Sequence, residues 1–165
     1  MELILVRHGL AVKRETPGYI DAERPLTQEG IERMQKGARG LASLVDPPDM
    51  IVSSPLLRAQ QTAEILAVAL QCNHEVAEWE ALLPDAPPSA ILALLRKQDR
   101  SGKSVILVGH EPHLSRCAAH LIGSEPLSFQ FKKGGAGAFE FPSRLAQGAA
   151  VLKWFLTPKQ LRQLG

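Results

Sequence analysis

The sequence predicts an α/β protein, a mostly parallel sheet flanked by helices. Three short apolar runs carry this reading: Leu3 to Val6, Met50 to Val52, and Val105 to Val108. Their hydrophobicity is continuous rather than alternating, which suits strands buried on both faces beneath helical layers. A helical stripe lies near each run, and strands that alternate with helices imply a layered, mostly parallel sheet.

Taken in order, the first run ends in Arg7-His8-Gly9, and a polar, charged loop from Lys13 to Pro25 is expected to be exposed and open to a partner. Thr27 is a good N-cap, and Ile31, Met34, Ala38, Leu41 and Val45 recur behind it at helical spacing. The second run passes through Ser53-Ser54-Pro55 into a stripe of Ala59, Ala63, Leu66 and Leu70. Glu75 to Glu78 is a weaker strand candidate. Pro87 and Pro88 precede a helix that begins near Ser89 and buries Ile91, Leu92 and Leu95; proline does least harm just ahead of a helix. The third run leads through Gly109-His110-Glu111-Pro112-His113 into Leu114, Cys117, Ala118 and Leu121. Lys132 to Gly137 reads as a flexible basic turn, followed by weaker strands at Gly137 to Phe141 and Ala149 to Phe155. Thr157-Pro158 reads as the cap and first position of a short terminal helix. No repeat, low-complexity tract or linker divides residues 1–165, so a single domain is expected.

Composition narrows the function classes. A net charge of +2, evenly spread, and 5% aromatic residues argue against a nucleic-acid partner. No segment approaches the ~20 apolar residues that span a bilayer, and the amino-terminal run is too short for a signal-peptide core. Cys72 and Cys117 have neither metal-knuckle spacing nor the density of a disulfide scaffold, so buried thiols in a reducing, cytoplasmic setting are expected. His110 and His113 stand three apart with a proline between them, against the four-residue spacing of a zinc-protease helix, so no metal is expected. Lys132 to Gly137 lacks the ending of a nucleotide P-loop. Its lysines are candidates to touch an acidic partner. His74 and His120 read as structural or surface residues, and Trp79 and Trp154 as core or rim aromatics.

The chemistry collects where the three strong strands end. The first ends Arg7-His8-Gly9, the second reaches Arg58 in the following helix, and the third ends at His110. Ligands of open α/β sheets bind outside the carboxyl ends of the strands. If these strands are parallel neighbours, two arginines and two histidines converge. Arginine forks match phosphate oxygens, and two of them neutralise a dianion. A neutral imidazole offers one unprotonated ring nitrogen as a nucleophile, and the flanking positive charges are expected to keep it neutral. Gly9 is expected to let the backbone turn sharply and come close. The set suits in-line phosphoryl transfer, which needs mainly positioning and charge stabilisation.

These residues closely resemble the histidine phosphatase superfamily, or phosphoglycerate mutase-like fold, and within it the short SixA-type phosphohistidine phosphatases. The matching segments, in family order, are Val6-Arg7-His8-Gly9, Arg24-Pro25-Leu26-Thr27, Ser53-Ser54-Pro55 leading to Arg58-Ala59 and Gln61-Thr62-Ala63, and Val108-Gly109-His110-Glu111-Pro112. The resemblance runs from Met1 to about Pro158. It implies His8 as the phosphorylated nucleophile, with Arg7, Arg58 and His110 holding the phosphoryl oxygens, and no metal or other cofactor. Arg24 either helps shape the phosphate site or is a surface charge at a helix start, and His113 either lines the pocket or caps the next helix. Larger members carry a lid insertion with an acid for the leaving group. Here the equivalent Gln71 to Arg100 region is short, implying a compact fold without a lid domain. Glu80 and Asp85 are the candidate acids, with Glu78 also nearby.

Three functions remain open. The first is hydrolysis of phosphohistidine on a signalling protein, such as a histidine-phosphotransfer domain. The second uses the same site on a small phosphorylated metabolite. The third is a phosphate-recognition module without turnover, which would have no need of a nucleophile at His8.

Overall fold

A computed structural model describes residues 1–97, 103–124 and 129–165; the end of the Gln71 to Arg100 region therefore lies outside the described residues. Six strands form one sheet: β1 (Glu2–Arg7), β2 (Met50–Ser53), β3 (Ala77–Glu78), β4 (Ser104–Gly109), β5 (Ala136–Glu140) and β6 (Val151–Leu156). Their spatial order is β3-β2-β4-β1-β5-β6, with β3, β2, β4 and β1 parallel and β5 and β6 antiparallel. The helices are α1 (Gln28–Ala42), α2 (Leu57–Ala69), α3 (Ser89–Lys97), α4 (His113–Ile122) and α5 (Pro158–Leu164).

The continuous apolar runs are buried on both faces, as a central parallel strand requires. Leu3 and Leu5 of β1 join Val105 and Leu107 of β4 against α3 and α4, in a cluster with Leu95, Leu114, Phe131 and Phe139. Ile4 and Val6 join Ile106 and Val108 on the opposite face, packed with Ala38, Leu41, Leu66 and Leu161 of α1, α2 and α5. Alternate residues of one strand thus serve two cores.

Helix boundaries follow their caps. Thr27 Oγ1 accepts from Gly30 N at 3.0 Å at the start of α1. Thr157 and Gln160 form a reciprocal capping box at α5, with Pro158 in the first turn. Val45 falls beyond α1, which ends at Ala42. The weaker strand expectations shift by a residue or two, and Glu75–Glu78 shrinks to the two-residue edge strand β3. Cys117 is buried, whereas Cys72 is only half-buried, contrary to expectation. Between α2 and α3 the described chain forms only β3 and a 3-10 turn at Glu80–Leu82, and no helix among the described residues is long and apolar enough to cross a membrane.

Gly30 shows how tightly the first loop is seated on α1. A Cβ there would overlap the carbonyl oxygen of Leu10. Replacing glycine by alanine inside a helix ordinarily favours folding by about 1 kcal/mol, but a backbone oxygen cannot swing aside as a side chain can. Gly30→Ala is therefore expected to destabilise the protein, by about 1–3 kcal/mol as for other overpacked sites. Urea unfolding of the variant measures this, and a gain in stability would contradict the close approach.

Candidate active site

The strand register builds the site. Arg7 lies opposite Gly109 and Ser53 opposite Val108, so β1, β2 and β4 end side by side. The ladder continues one residue further, with His8 N donating to Gly109 O (3.1 Å) and Ser54 N to Val108 O (3.0 Å). The first turn of α2 then brings in Arg58. His8, Arg58 and His110 are 6%, 3% and 2% exposed, so all three polar side chains are withdrawn from water. The rings of His8 and His110 lie 4.9 Å apart, centre to centre.

His8 Nδ1 lies 2.8 Å from Gly9 O. A carbonyl only accepts, so Nδ1 carries the proton and Nε2 keeps its lone pair. Burial holds the His8 pKa well below the usual histidine value, aided by His110 and then by Arg58 and Arg7. Desolvation, rather than the flanking arginines expected from the sequence, is thus the main cause of its neutrality. Gly9 is required by close approach, since a Cβ there would sit 2.5 Å from Met34 Cγ. Its N–H donates to Thr62 Oγ1 (3.0 Å), which itself donates to Arg58 O (2.7 Å). Thr62 therefore ties the His8 loop to the helix carrying Arg58.

His110 Nε2 lies 2.8 Å from Ser54 Oγ, which also accepts from Leu56 N at 3.3 Å. If the serine hydroxyl donates to Nε2, Nδ1–H alone is left unpaired. The reverse arrangement strands both the hydroxyl proton and the Nδ1 lone pair. Each buried orphan costs about 1–3 kcal/mol, which favours the first arrangement and makes Nδ1 a donor. Burial, then the charge of Arg58, pushes the His110 pKa down to about 3. Arg7 Nε, Arg58 Nε and His110 Nδ1 are all buried without partners, and all three belong to this cluster.

Carboxylates hold the arginines in place. Asp21 contacts Arg58 through its backbone oxygen (2.7 Å) and its carboxylate (3.2 Å). The same carboxylate accepts from Arg24 and Arg14. Burial raises the Asp21 pKa, but these three arginines outweigh it and hold it at about 2. Arg24 also donates to Val12 O at 2.6 Å, closing the base of the 13–25 loop. Only 9% exposed, it is no surface charge at a helix start, and its donors face Asp21 and the loop. Burial lowers the Arg58 pKa, with Asp21 opposing; burial likewise lowers that of Arg7, with Glu111 opposing. Glu111 accepts from Ser115 Oγ and from Phe131 N (2.7 Å), and Phe131 O in turn accepts from Arg7 at 2.6 Å.

Several of these residues carried no role in the sequence reading. Asp21 lay within the loop expected to be free, although an acid three residues before Arg24 was visible there. Glu111, Ser54 and Thr62 lay within matched segments, but only the fold shows what they touch. Glu80 and Asp85 are exposed, and their carboxylates make no hydrogen bond or ion pair among the described residues; Glu78 accepts from Gln60 (2.5 Å). His113 caps nothing: it is fully buried, its Nε2 3.3 Å from Cys117 Sγ, and burial lowers its pKa to about 4.

Residues 3–83 match the family model of the histidine phosphatase superfamily (branch 1). The chain is 38% identical over 137 residues to an uncharacterized protein of Picosynechococcus sp., covering 82% of each chain. It is 25% identical over 164 residues to phosphohistidine phosphatase SixA of Escherichia coli, covering 98% of this chain and 97% of that one. The structure of the protein histidine phosphatase SixA complexed with tungstate superposes with a TM-score of 0.85 at 23% identity, over 98% and 99% of the two chains.

Three buried neutral histidines have a consequence for stability. His8, His110 and His113 all have folded pKa values far below the ~6.5 of an unfolded chain. Below that pH the unfolded state binds more protons, so stability falls as pH drops from about 6.5 towards 4. Asp21 adds little above about pH 5, because its contribution is lost as pH falls through its unfolded value of 3.8 towards about 2. The melting temperature is expected to be level above about pH 7.5 and to decline through pH 6 and 5. A level profile from pH 7 to 5 would contradict the buried neutral imidazoles.

Proposed function

The chain belongs to the histidine phosphatase superfamily, and on that footing we propose that residues 1–165 form one phosphohistidine phosphatase domain acting on a phosphorylated cytoplasmic signalling protein, such as a histidine-phosphotransfer domain. The observation that carries the reading is the buried His8 ring. Its Nδ1–H is fixed on Gly9 O, its Nε2 is unprotonated, and buried unpaired donors of Arg7, Arg58 and His110 surround it.

In the proposed reaction His8 Nε2 attacks phosphorus in line as the bond to the substrate's ring nitrogen breaks. The leaving ring takes the bonding pair. With a proton on its second nitrogen it departs as neutral imidazole and needs no acid at the bridging atom. Arg7, Arg58 and His110 Nδ1–H hold the phosphoryl oxygens, and their charges and dipoles are in place before the reaction begins. Water then attacks phosphorus, phosphate leaves, and the bonding pair returns to His8 Nε2. Arg24 acts one step back, by holding Asp21 against Arg58.

Protein-borne phosphohistidine is favoured over a small ester because Asp21 and Glu111, the carboxylates bonded into the site, are committed as acceptors, and Glu80 and Asp85 lie exposed. Asp21 is ionised and shared by three arginines, and Glu111 accepts from Ser115 and Phe131 N. An alkoxide leaving group calls for a general acid, whereas a protonated imidazole does not.

Phosphate release from a phosphorylated histidine-phosphotransfer domain is expected to exceed that from a panel of small phosphate esters, and His8→Ala is expected to abolish it. Ester preference would instead implicate a carboxylate such as Glu80 or Asp85 as acid. Full activity in His8→Ala would remove the covalent mechanism, and inactivity on every substrate would favour a recognition module. Because burial keeps His8 neutral, the acid limb of kcat/KM is expected below the ordinary histidine pKa of about 6.5. A limb at that value would place an exposed histidine in the rate law.

A further inference from the structure

Beside the candidate active site lies a cavity of about 370 Å³. It opens between the loop at Gly9–Leu10, the first turns of α1, the 132–134 turn and the start of α5. Among the described residues, five cationic side chains line it, Arg33, Lys132, Lys133, Lys159 and Arg162, and no carboxylate does. Arg33 pairs with Glu29 across one helical turn, but the other four have no acidic partner among the described residues. In a chain whose net charge is only +2, this is a strong local excess. The floor is apolar, formed by Leu10, Met34 and Pro158.

The cavity and the candidate active site share a wall. Gly134 N donates to the carbonyl oxygens of both Arg7 and His8 (3.0 and 3.1 Å), and Gly9 follows His8 directly. Lys133 stands close enough to Arg7, Arg24 and Arg58 for their charges to act on it. A protein whose phosphohistidine is seated at His8 must therefore lay its neighbouring surface near this cavity.

We propose that this basic cleft docks an acidic segment of the phosphorylated partner, a run of Asp and Glu side chains beside its phosphohistidine. The inference rests on the protein-borne substrate proposed above. Charge complementarity selects the occupant: four unpaired cations over an apolar floor suit carboxylates on short side chains. Among the described residues no aromatic side chain lines the cleft to stack a nucleotide base. The lysines stand exposed at the rim rather than converging on one buried point, as they would for a single small anion. Charges of this kind steer encounter and fix register, so they act on association more than on the chemical step. A small phosphate ester cannot reach both sites, and the cleft gives the protein a preference for large acidic substrates.

The test compares two charge-matched double variants. Lys132→Glu/Lys159→Glu reverses two exposed, unpaired cations of the cleft; Arg39→Glu/Lys97→Glu reverses two exposed cations outside it. At about 0.15 M salt, kcat/KM on a phosphorylated histidine-phosphotransfer domain is expected to fall roughly tenfold in the cleft variant only, with kcat and activity on p-nitrophenyl phosphate unchanged. Binding of a labelled decaglutamate peptide is expected to be lost in the same variant alone. Where the wild type acts on the phosphotransfer domain, equal behaviour of the two variants in either assay overturns the cleft. If the wild type leaves the phosphotransfer domain untouched, the proposed substrate is wrong. The peptide then decides the cleft by itself: loss confined to the cleft variant upholds an acidic ligand, and equal binding removes it.

Discussion

The parallel register of β2, β4 and β1 is the constraint on which the site depends. Because Arg7 sits opposite Gly109 and Ser53 opposite Val108, three loops leave the sheet at one level. That level is fixed by burial on both faces. A slip of one residue would move Leu3 and Leu5 into the cluster built around Ile4 and Val6, and the reverse. The hydrophobic pattern that folds the sheet thus also sets the spacing of His8, Ser54 and His110. Catalytic geometry and core packing are, here, one requirement.

Gathering cations at such an edge has a cost, because a guanidinium withdrawn from water is unstable without partners. The chain meets it differently for each arginine. Arg58 rests on Asp21, which is delivered by the 13–25 loop and shared with Arg24 and Arg14. Arg7 rests on a backbone oxygen, that of Phe131, whose position is set through Glu111. Both supports come from segments outside the sheet, so the loops around the site have a structural duty as well as any role in recognition. The same loop leaves Tyr19 and Ile20 43% and 64% exposed beside its docked acid.

Much of this was legible in the sequence, for a physical reason. Continuous apolar runs report two-sided burial directly, and the polar residues that end them mark strand ends. Arg7, His8, Arg58 and His110 could therefore be placed together before any coordinates. Helix starts were legible because Thr27 and Thr157 cap by local chemistry. What could not be read was long-range pairing of polar groups. Asp21 and Arg58 are 37 residues apart, and Gly9 and Thr62 are 53 apart. No local pattern announces such contacts. Even the neutrality of His8 was expected for a secondary reason, since charge is visible in a sequence and desolvation is not.

On the proposed mechanism one hydrogen bond serves both halves of the reaction. While His8 is free, Gly9 O holds the proton on Nδ1 and leaves Nε2 basic. Once Nε2 is phosphorylated, the same proton makes the ring cationic, so it can leave as neutral imidazole when water attacks. The partner's histidine departs in the first half by the same logic, with a proton on its far nitrogen. Attacking and leaving groups are then chemically alike, and neither half needs a proton delivered to the breaking bond. A site that exchanges one imidazole for another has no call for the acid that an alkoxide would demand. Asp21 is free to hold arginines instead, and Glu111 to hold the Phe131 backbone that supports Arg7.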